Sequence, residues 1–179
     1  PLLVRDGFGG RAFATEGTVD LARIVLPDSG HLQEEDAAYR NRKGFSKHHP
    51  ALPLYTEADA REALNHLAAV AYEAETEVAP GVFATFRPGG HILGSAVVTL
   101  RLADCGDRRV VFSGDLGRAH HPLLRPPAPP GDADVVILES TYGDRVHDDE
   151  RALEQLAAAV RDTARRGGVV LIPAFAVDR

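Results

Sequence analysis

Two apolar runs in the second half of the chain are typical of neighbouring β-strands. Residues 95–102 (SAVVTLRL) and 109–114 (RVVFSG) are rich in β-branched residues, and the polar turn ADCGDR joins them. Runs of this kind on either side of a short glycine-containing turn predict a β-hairpin. If Leu102 pairs with Arg109, this register fixes every other pair along the two strands.

Helical spacing predicts two helices near the start of the chain. Thr15 or Thr18 can cap a helix that runs through Leu26, and Pro27 is expected to bend or end it. Residues 33–43 (QEEDAAYRNRK) predict a second, exposed helix, because acidic residues lie at its start and basic residues at its end.

The middle of the chain predicts another helix, followed by strands. Thr56 and Asp59 have the spacing of a capping box, and apolar residues then recur at helical spacing from Ala60 to Ala71. Residues 76–88 (TEVAPGVFATFRP) are strand-like, with a break at Pro80–Gly81.

The end of the chain alternates strand, helix and strand. Val135 to Leu138 is a short apolar run typical of a buried strand, and the helical spacing that follows ends at Gly167–Gly168. Residues 169–176 (VVLIPAFA) predict a second buried strand. This order predicts a parallel βαβ unit with a right-handed crossover, and therefore a mixed α/β fold.

Composition and charge narrow the class of protein. A chain of 179 residues, 44% of them hydrophobic, is long enough for one globular domain. A net charge of −6 gives no overall attraction for nucleic acid, so such binding would need a local basic patch. The single cysteine, Cys105, excludes an internal disulfide and a cysteine metal cluster in these residues. A start at Pro1, the absence of methionine and an end inside a predicted strand lead us to expect a fragment.

His91 and Asp115 are the first candidates for chemistry. Each lies among glycines, and the predicted hairpin brings both to one edge of the sheet, with Asp115 opposite Ala96. An imidazole and a carboxylate are ligands that suit zinc. The alternative is that His91 is an ordinary loop residue and that Asp115 stabilises a turn.

Two further sites are open to a functional and to a structural interpretation. Glu139 follows a buried-type strand at the end where open α/β sheets hold ligands, but it could equally accept hydrogen bonds from the next turn. Arg42 and Lys43 lie in a basic stretch interleaved with Tyr39 and Phe45, which suits phosphate contacts. Such a stretch could also be a solvated face.

The segments GHILGSA, SGDLG and ESTYG, in this order, resemble the metallo-β-lactamase fold, and more narrowly its β-CASP branch of RNA and DNA nucleases. The resemblance implies part of an αββα sandwich in residues 1–145 and the start of the β-CASP insertion in residues 146–179. It implies two zinc ions in the full-length protein, with His91 as a ligand and Asp115 bridging the metals. Glu139 would pair with a histidine later in the chain during hydrolysis of RNA phosphodiester bonds.

The main metal motif of that family, of HxHxDH type, is absent from these residues, and we expect it upstream of Pro1. The terminal histidines of the family are expected beyond Arg179, so this chain alone is expected to be inactive. Two alternatives stay open: a hydrolase of a small substrate such as a thioester or lactam, and a non-catalytic subunit that binds nucleic acid. We expect a cytoplasmic protein with no membrane partner, and a homo-oligomer is compatible with the sequence.

Overall fold

The computed structural model describes residues 1–145, 151–175 and 177, which form two compact units, Pro1–Glu139 and Ser140–Arg179. Among these described residues, the first unit contains a small parallel sheet, a larger sheet and three α-helices, and the second contains one α-helix. In chain order the elements are α1 (Leu2–Arg5), β1 (Ala12–Thr15), α2 (Glu16–Lys43), α3 (Glu57–Leu64), β2 (Leu67–Val70), β3 (Glu75–Ala79), β4 (Val82–Pro88), β5 (Ala96–Leu102), β6 (Arg108–Phe112), β7 (Val135–Ile137) and α4 (Ala152–Arg165).

The larger sheet has the strand order β3-β4-β5-β6-β7, in which β3 to β6 are antiparallel and β7 runs parallel to β6. One face of this sheet packs against the small sheet of β1 and β2. Ala84 and Phe86 of β4 and Val70 of β2 form the buried cluster between them. The expected mixed α/β fold is confirmed. No helix in the described residues is long and apolar enough to cross a membrane.

Helix α2 is one continuous helix that includes Pro27. The expectation that Pro27 ends a first helix and separates it from a second one is therefore wrong. Pro27 lies inside the helix and is buried. Proline removes one backbone hydrogen bond, but α2 continues through Pro27 and packs against α3. The predicted N-terminal cap is confirmed, because the Thr15 side chain accepts a hydrogen bond from the Thr18 N–H. The helix ends at Gly44, whose φ is 68°.

Side chains of α2 hold the segment that leads into α3. The Asn41 side chain donates to Ala51 O at 2.9 Å and accepts from Ala51 N–H at 2.7 Å. At Gly30 the backbone of α2 approaches the start of α3 so closely that a Cβ there would lie 2.7 Å from Glu57 N. Glycine at this position is therefore a packing requirement.

Gly30→Ala is expected to destabilise the 179-residue chain by about 1–3 kcal/mol through overpacking. The sign of the change in unfolding free energy distinguishes overpacking from helix preference, because alanine in a helix otherwise stabilises by up to about 1 kcal/mol relative to glycine. The free energy of unfolding in urea measures the change. Asp28→Ala, on the exposed side of the same helical turn, is the control and should stay within about 0.5 kcal/mol of wild type. A more stable Gly30→Ala variant would contradict the close contact.

The helix predicted to include residues 60–71 ends at Leu64, and Leu67–Val70 is the strand β2. The capping box of Thr56 and Asp59 is confirmed. The error has a physical cause, because the run Leu-Ala-Ala-Val is compatible with a helix or a strand by local preference. The residues form a strand because they pair in parallel with β1, which lies 55 positions earlier in the chain.

The predicted hairpin of β5 and β6 is confirmed, but its register is wrong by one residue. Leu102 pairs with Arg108 rather than Arg109. The turn is shorter than expected because a 3₁₀-helix, Ala103–Cys105, precedes two residues with positive φ, Gly106 and Asp107. Gly114 rather than Asp115 consequently approaches Ala96, as a Cβ on Gly114 would lie 2.8 Å from Ala96 O.

In the second unit, α4 ends shortly before Gly167, whose φ is 66°. The predicted end of this helix at Gly167–Gly168 is confirmed. The predicted strand at 169–176 is wrong for residues 169–175, which have no strand structure, and residue 176 lies outside the described residues. The parallel βαβ unit is therefore not present in the described part of the chain. The expectation that residues 135–138 are buried is also wrong, because β7 is an edge strand with half-exposed side chains.

The domain boundary predicted after Arg145 stays a prediction. The two compact units divide six residues earlier, after Glu139. Residues 146–150, where the second domain was predicted to begin, lie outside the described residues.

Candidate functional site

His91 lies in a short loop between β4 and β5 whose shape is fixed by its own backbone and by one serine. The Gly89 N–H donates to Ser95 O at 2.9 Å, and the Ser95 N–H donates to Ile92 O at 3.0 Å. The Ser95 Oγ accepts from the N–H groups of His91 at 3.0 Å and Ile92 at 3.3 Å. The His91 side chain is left exposed at the end of the sheet.

The same loop is attached to the N-terminal end of α2. The hydroxyl groups of Thr15 and Thr18 donate to Gly94 O at 2.7 and 3.0 Å. The Tyr72 hydroxyl donates to Ser95 O at 3.0 Å. Thr15 is 2% exposed, so the hydrogen bond it makes to Gly94 is shielded from water. Residues of β1, of α2 and of the segment after β2 thus hold the His91 loop.

Asp115 lies in the loop that follows β6, and this loop touches the first. The Gly117 N–H donates to Gly89 O at 2.8 Å. The predicted meeting of the two glycine loops at one end of the sheet is therefore confirmed. Asp115, like His91, is exposed.

Glu139 follows β7 and is bonded to the Asp115 loop. Its Oε1 accepts from the Leu116 N–H at 2.9 Å, and its own N–H donates to Ser113 Oγ at 2.9 Å. Ser113 is 5% exposed and continues the pairing of β6 with β7 through an N–H bond to Ile137 O at 2.9 Å. The carboxylate thus fixes the residue next to Asp115.

No family model matches the chain. The chain is 35% identical over 180 residues to ribonuclease TTHA0252 of Thermus thermophilus. This alignment covers 100% of the chain and 37% of that protein. It is 32% identical over 185 residues to the transcription termination factor FttA of Methanothermobacter thermautotrophicus, covering 100% of the chain and 27% of FttA. It is 30% identical over 186 residues to the endoribonuclease YSH1 of Kluyveromyces lactis, covering 99% of the chain and 22% of YSH1.

This chain belongs to the metallo-β-lactamase-fold, β-CASP family. It spans 22–37% of the length of these three relatives. Of the three segments that carried the resemblance, GHILGSA contains His91, SGDLG contains Asp115 and Gly117, and ESTYG begins with Glu139.

The two loops place two candidate metal donors, His91 and Asp115, at one end of the larger sheet. An imidazole and a carboxylate fit the donor chemistry of zinc, whose sites in proteins use three or four protein ligands. Among the described residues, no group of three or more histidine, cysteine, aspartate and glutamate side chains could hold a metal ion. His91 and Asp115 therefore suit the site in kind but need further donors, and their role as ligands stays a prediction.

Arg42 and Lys43, the predicted substrate contacts, do not lie with these residues. They are in the last turn of α2, whereas Thr18 in its first turn contacts the His91 loop. At a rise of 1.5 Å per residue, the 24 residues from Thr18 to Arg42 place the basic turn about 36 Å along the helix from the loop. The structure thus places the predicted phosphate contacts far from His91, and their role as substrate contacts stays a prediction.

Sequence reasoning missed the residues that hold the loops. Ser95, Thr15, Thr18 and Tyr72 make their hydrogen bonds to backbone atoms of the His91 loop. Only Ser95 had a local signal, since it directly follows Gly94 in the motif GHILGS.

Ser95→Ala is expected to increase hydrogen–deuterium exchange at the His91 and Ile92 amides about fivefold. The variant removes the acceptor of both N–H groups, and a typical hydrogen bond contributes about 1 kcal/mol. Exchange of single amides, followed by NMR, measures the change in the 179-residue chain.

Ser46→Ala is the matched control, because Ser46 Oγ likewise accepts from a nearby backbone N–H, that of His48, at 3.1 Å. It should loosen His48 and leave the His91 loop as it is. Unchanged exchange at His91 in Ser95→Ala would show that Ser95 does not determine the conformation of the loop.

Proposed function

We propose that the complete protein containing this chain is a zinc-dependent nuclease that hydrolyses RNA phosphodiester bonds in RNA processing. The observation that carries the proposal is the contact between the two glycine loops, through the Gly117 N–H and Gly89 O, which places His91 and Asp115 at the same end of the sheet. The names of two relatives, a ribonuclease and an endoribonuclease, support the reaction class and the RNA substrate.

In this proposal His91 and Asp115 would hold zinc together with donors supplied outside these 179 residues. Bound zinc would supply Lewis acidity for the attack of water on a phosphodiester. The work of this chain is to keep the two donors in place. Ser95, Thr15 and Thr18 hold the His91 loop, and Glu139 holds the backbone beside Asp115.

The proposed role of Glu139 has two parts. It fixes the Asp115 loop through the Leu116 N–H, and it is expected to orient a histidine later in the complete protein, which would protonate the leaving oxygen. A carboxylate can accept several hydrogen bonds at once, so the two parts are compatible.

A non-catalytic nucleic-acid-binding subunit is the second candidate. Two observations favour it: several relatives are named transcription termination factor FttA, and the described residues provide no group of three metal donors. The nuclease is preferred because His91 and Asp115 are both present and their loops are held together.

His91→Ala and Asp115→Asn, made in the complete protein, are each expected to lower kcat for RNA cleavage more than about 100-fold. This exceeds the loss of about 10–100-fold typical of residues that only support metal ligands. Both variants should also contain less zinc than the roughly two ions per chain expected for wild type. Cleavage of a labelled RNA and metal analysis by mass spectrometry provide the two measurements.

His31→Ala and Asp20→Asn are the matched controls, because both residues are exposed on α2 and neither contacts the loops. They should keep wild-type zinc content and activity. RNA binding without cleavage or zinc in the wild-type protein would favour the non-catalytic subunit and reject the nuclease.

A further inference from the structure

Two aromatic side chains are exposed at the C-terminal end of α2. Tyr39 is 46% and Phe45 59% exposed, and their rings meet edge to face with centroids 5.8 Å apart. The reversal of the chain at Gly44, with a φ of 68°, follows the last turn of the helix and precedes Phe45. The Arg42 guanidinium lies 6.0 Å from the centre of the Tyr39 ring. Tyr39, Arg42, Lys43 and Phe45 are called the tip cluster below.

The charge around the tip cluster is opposite to that of the whole chain. Residues 37–56 contain four basic and no acidic side chains, although the chain carries a net charge of −6. Arg40 is neutralised by Asp36 at 2.7 Å. Within the described residues, Arg42 and Lys43 form no ion pair.

The helix alone does not account for these features. Basic residues in a last turn interact favourably with the helix dipole, which explains the cations. It does not explain why two rings remain exposed beside them, since burial of such rings is strongly favourable. The combination of exposed ring surface and unpaired cations therefore indicates a ligand with both flat apolar groups and negative charge.

Single-stranded RNA has this chemistry. Its bases stack on aromatic side chains while its phosphates bind lysine and arginine. An acidic peptide would satisfy the cations but has no flat groups for the rings, and a duplex keeps its base faces inside the stack.

We infer that the tip cluster is a second, remote contact for the single-stranded RNA on which the proposed nuclease acts. The inference rests on the proposed function for the identity of the substrate. The distance of about 36 Å between this cluster and the His91 loop sets the length of RNA that can contact both. At about 3.4 Å per stacked nucleotide, a strand needs roughly ten nucleotides to reach from one to the other.

The test compares cleavage of a tetranucleotide with that of a 20-nucleotide RNA by the complete protein. Tyr39→Leu/Phe45→Leu and Arg42→Gln/Lys43→Gln are each expected to raise KM for the 20-nucleotide RNA about tenfold, consistent with loss of base stacking or phosphate contacts. The KM for the tetranucleotide should rise less than twofold, and kcat should change little for either RNA. Phe45→Trp, which retains a stacking surface, should keep the low KM.

Arg23→Gln/Arg61→Gln is the matched control, because it removes two exposed arginines outside the tip cluster. It should leave KM for both RNAs at the wild-type value. Equal increases for both lengths in the tip-cluster variants, or an equal increase in the control, would overturn the remote contact. So would an unchanged KM for the long RNA.

Binding of the 20-nucleotide RNA, measured by fluorescence anisotropy in a His91→Ala background, separates this inference from the proposed function. Loss of binding in the tip-cluster variants supports the remote contact, even if the wild-type protein cleaves nothing and the nuclease proposal fails. Unchanged binding overturns the remote contact, even if cleavage is observed.

Discussion

The contact between the N-terminal end of α2 and the His91 loop is the constraint on which the site depends. A Cβ on Gly17 would lie 3.0 Å from Gly94 N and 3.1 Å from Gly94 Cα. Only at this short separation can the hydroxyls of Thr15 and Thr18 reach the carbonyl oxygen of Gly94. The contact therefore joins the small sheet and its helix to the loop of the large sheet, and each supports the other.

The parts of the fold that were predicted correctly have local causes. The capping box at Thr56 joins residues three apart, and the end of α4 is marked by glycine. The parts that were wrong are decided over longer distances. Residues 67–70 become a strand by pairing with β1, and α2 continues through Pro27 because α3 packs along it.

The candidate site shows the same division between local and distant causes. His91 and Asp115 were found because glycine-rich motifs surround them in sequence. Thr15 could not be found in this way, since its partner Gly94 lies 79 residues away. The hairpin placed the two loops together even with its register shifted by one residue, because both loops lie beyond the paired strands at the same end.

Thr15 belongs to three structures at once. It is the last residue of β1, the cap of α2 and a donor to the His91 loop. Fraying of the first helical turn therefore also removes one of the hydrogen bonds that hold the loop, because both depend on the same side chain. Amides at the start of the helix and in the loop are thus coupled in local unfolding, while Tyr72 and Ser95 continue to hold the loop when the helix end frays.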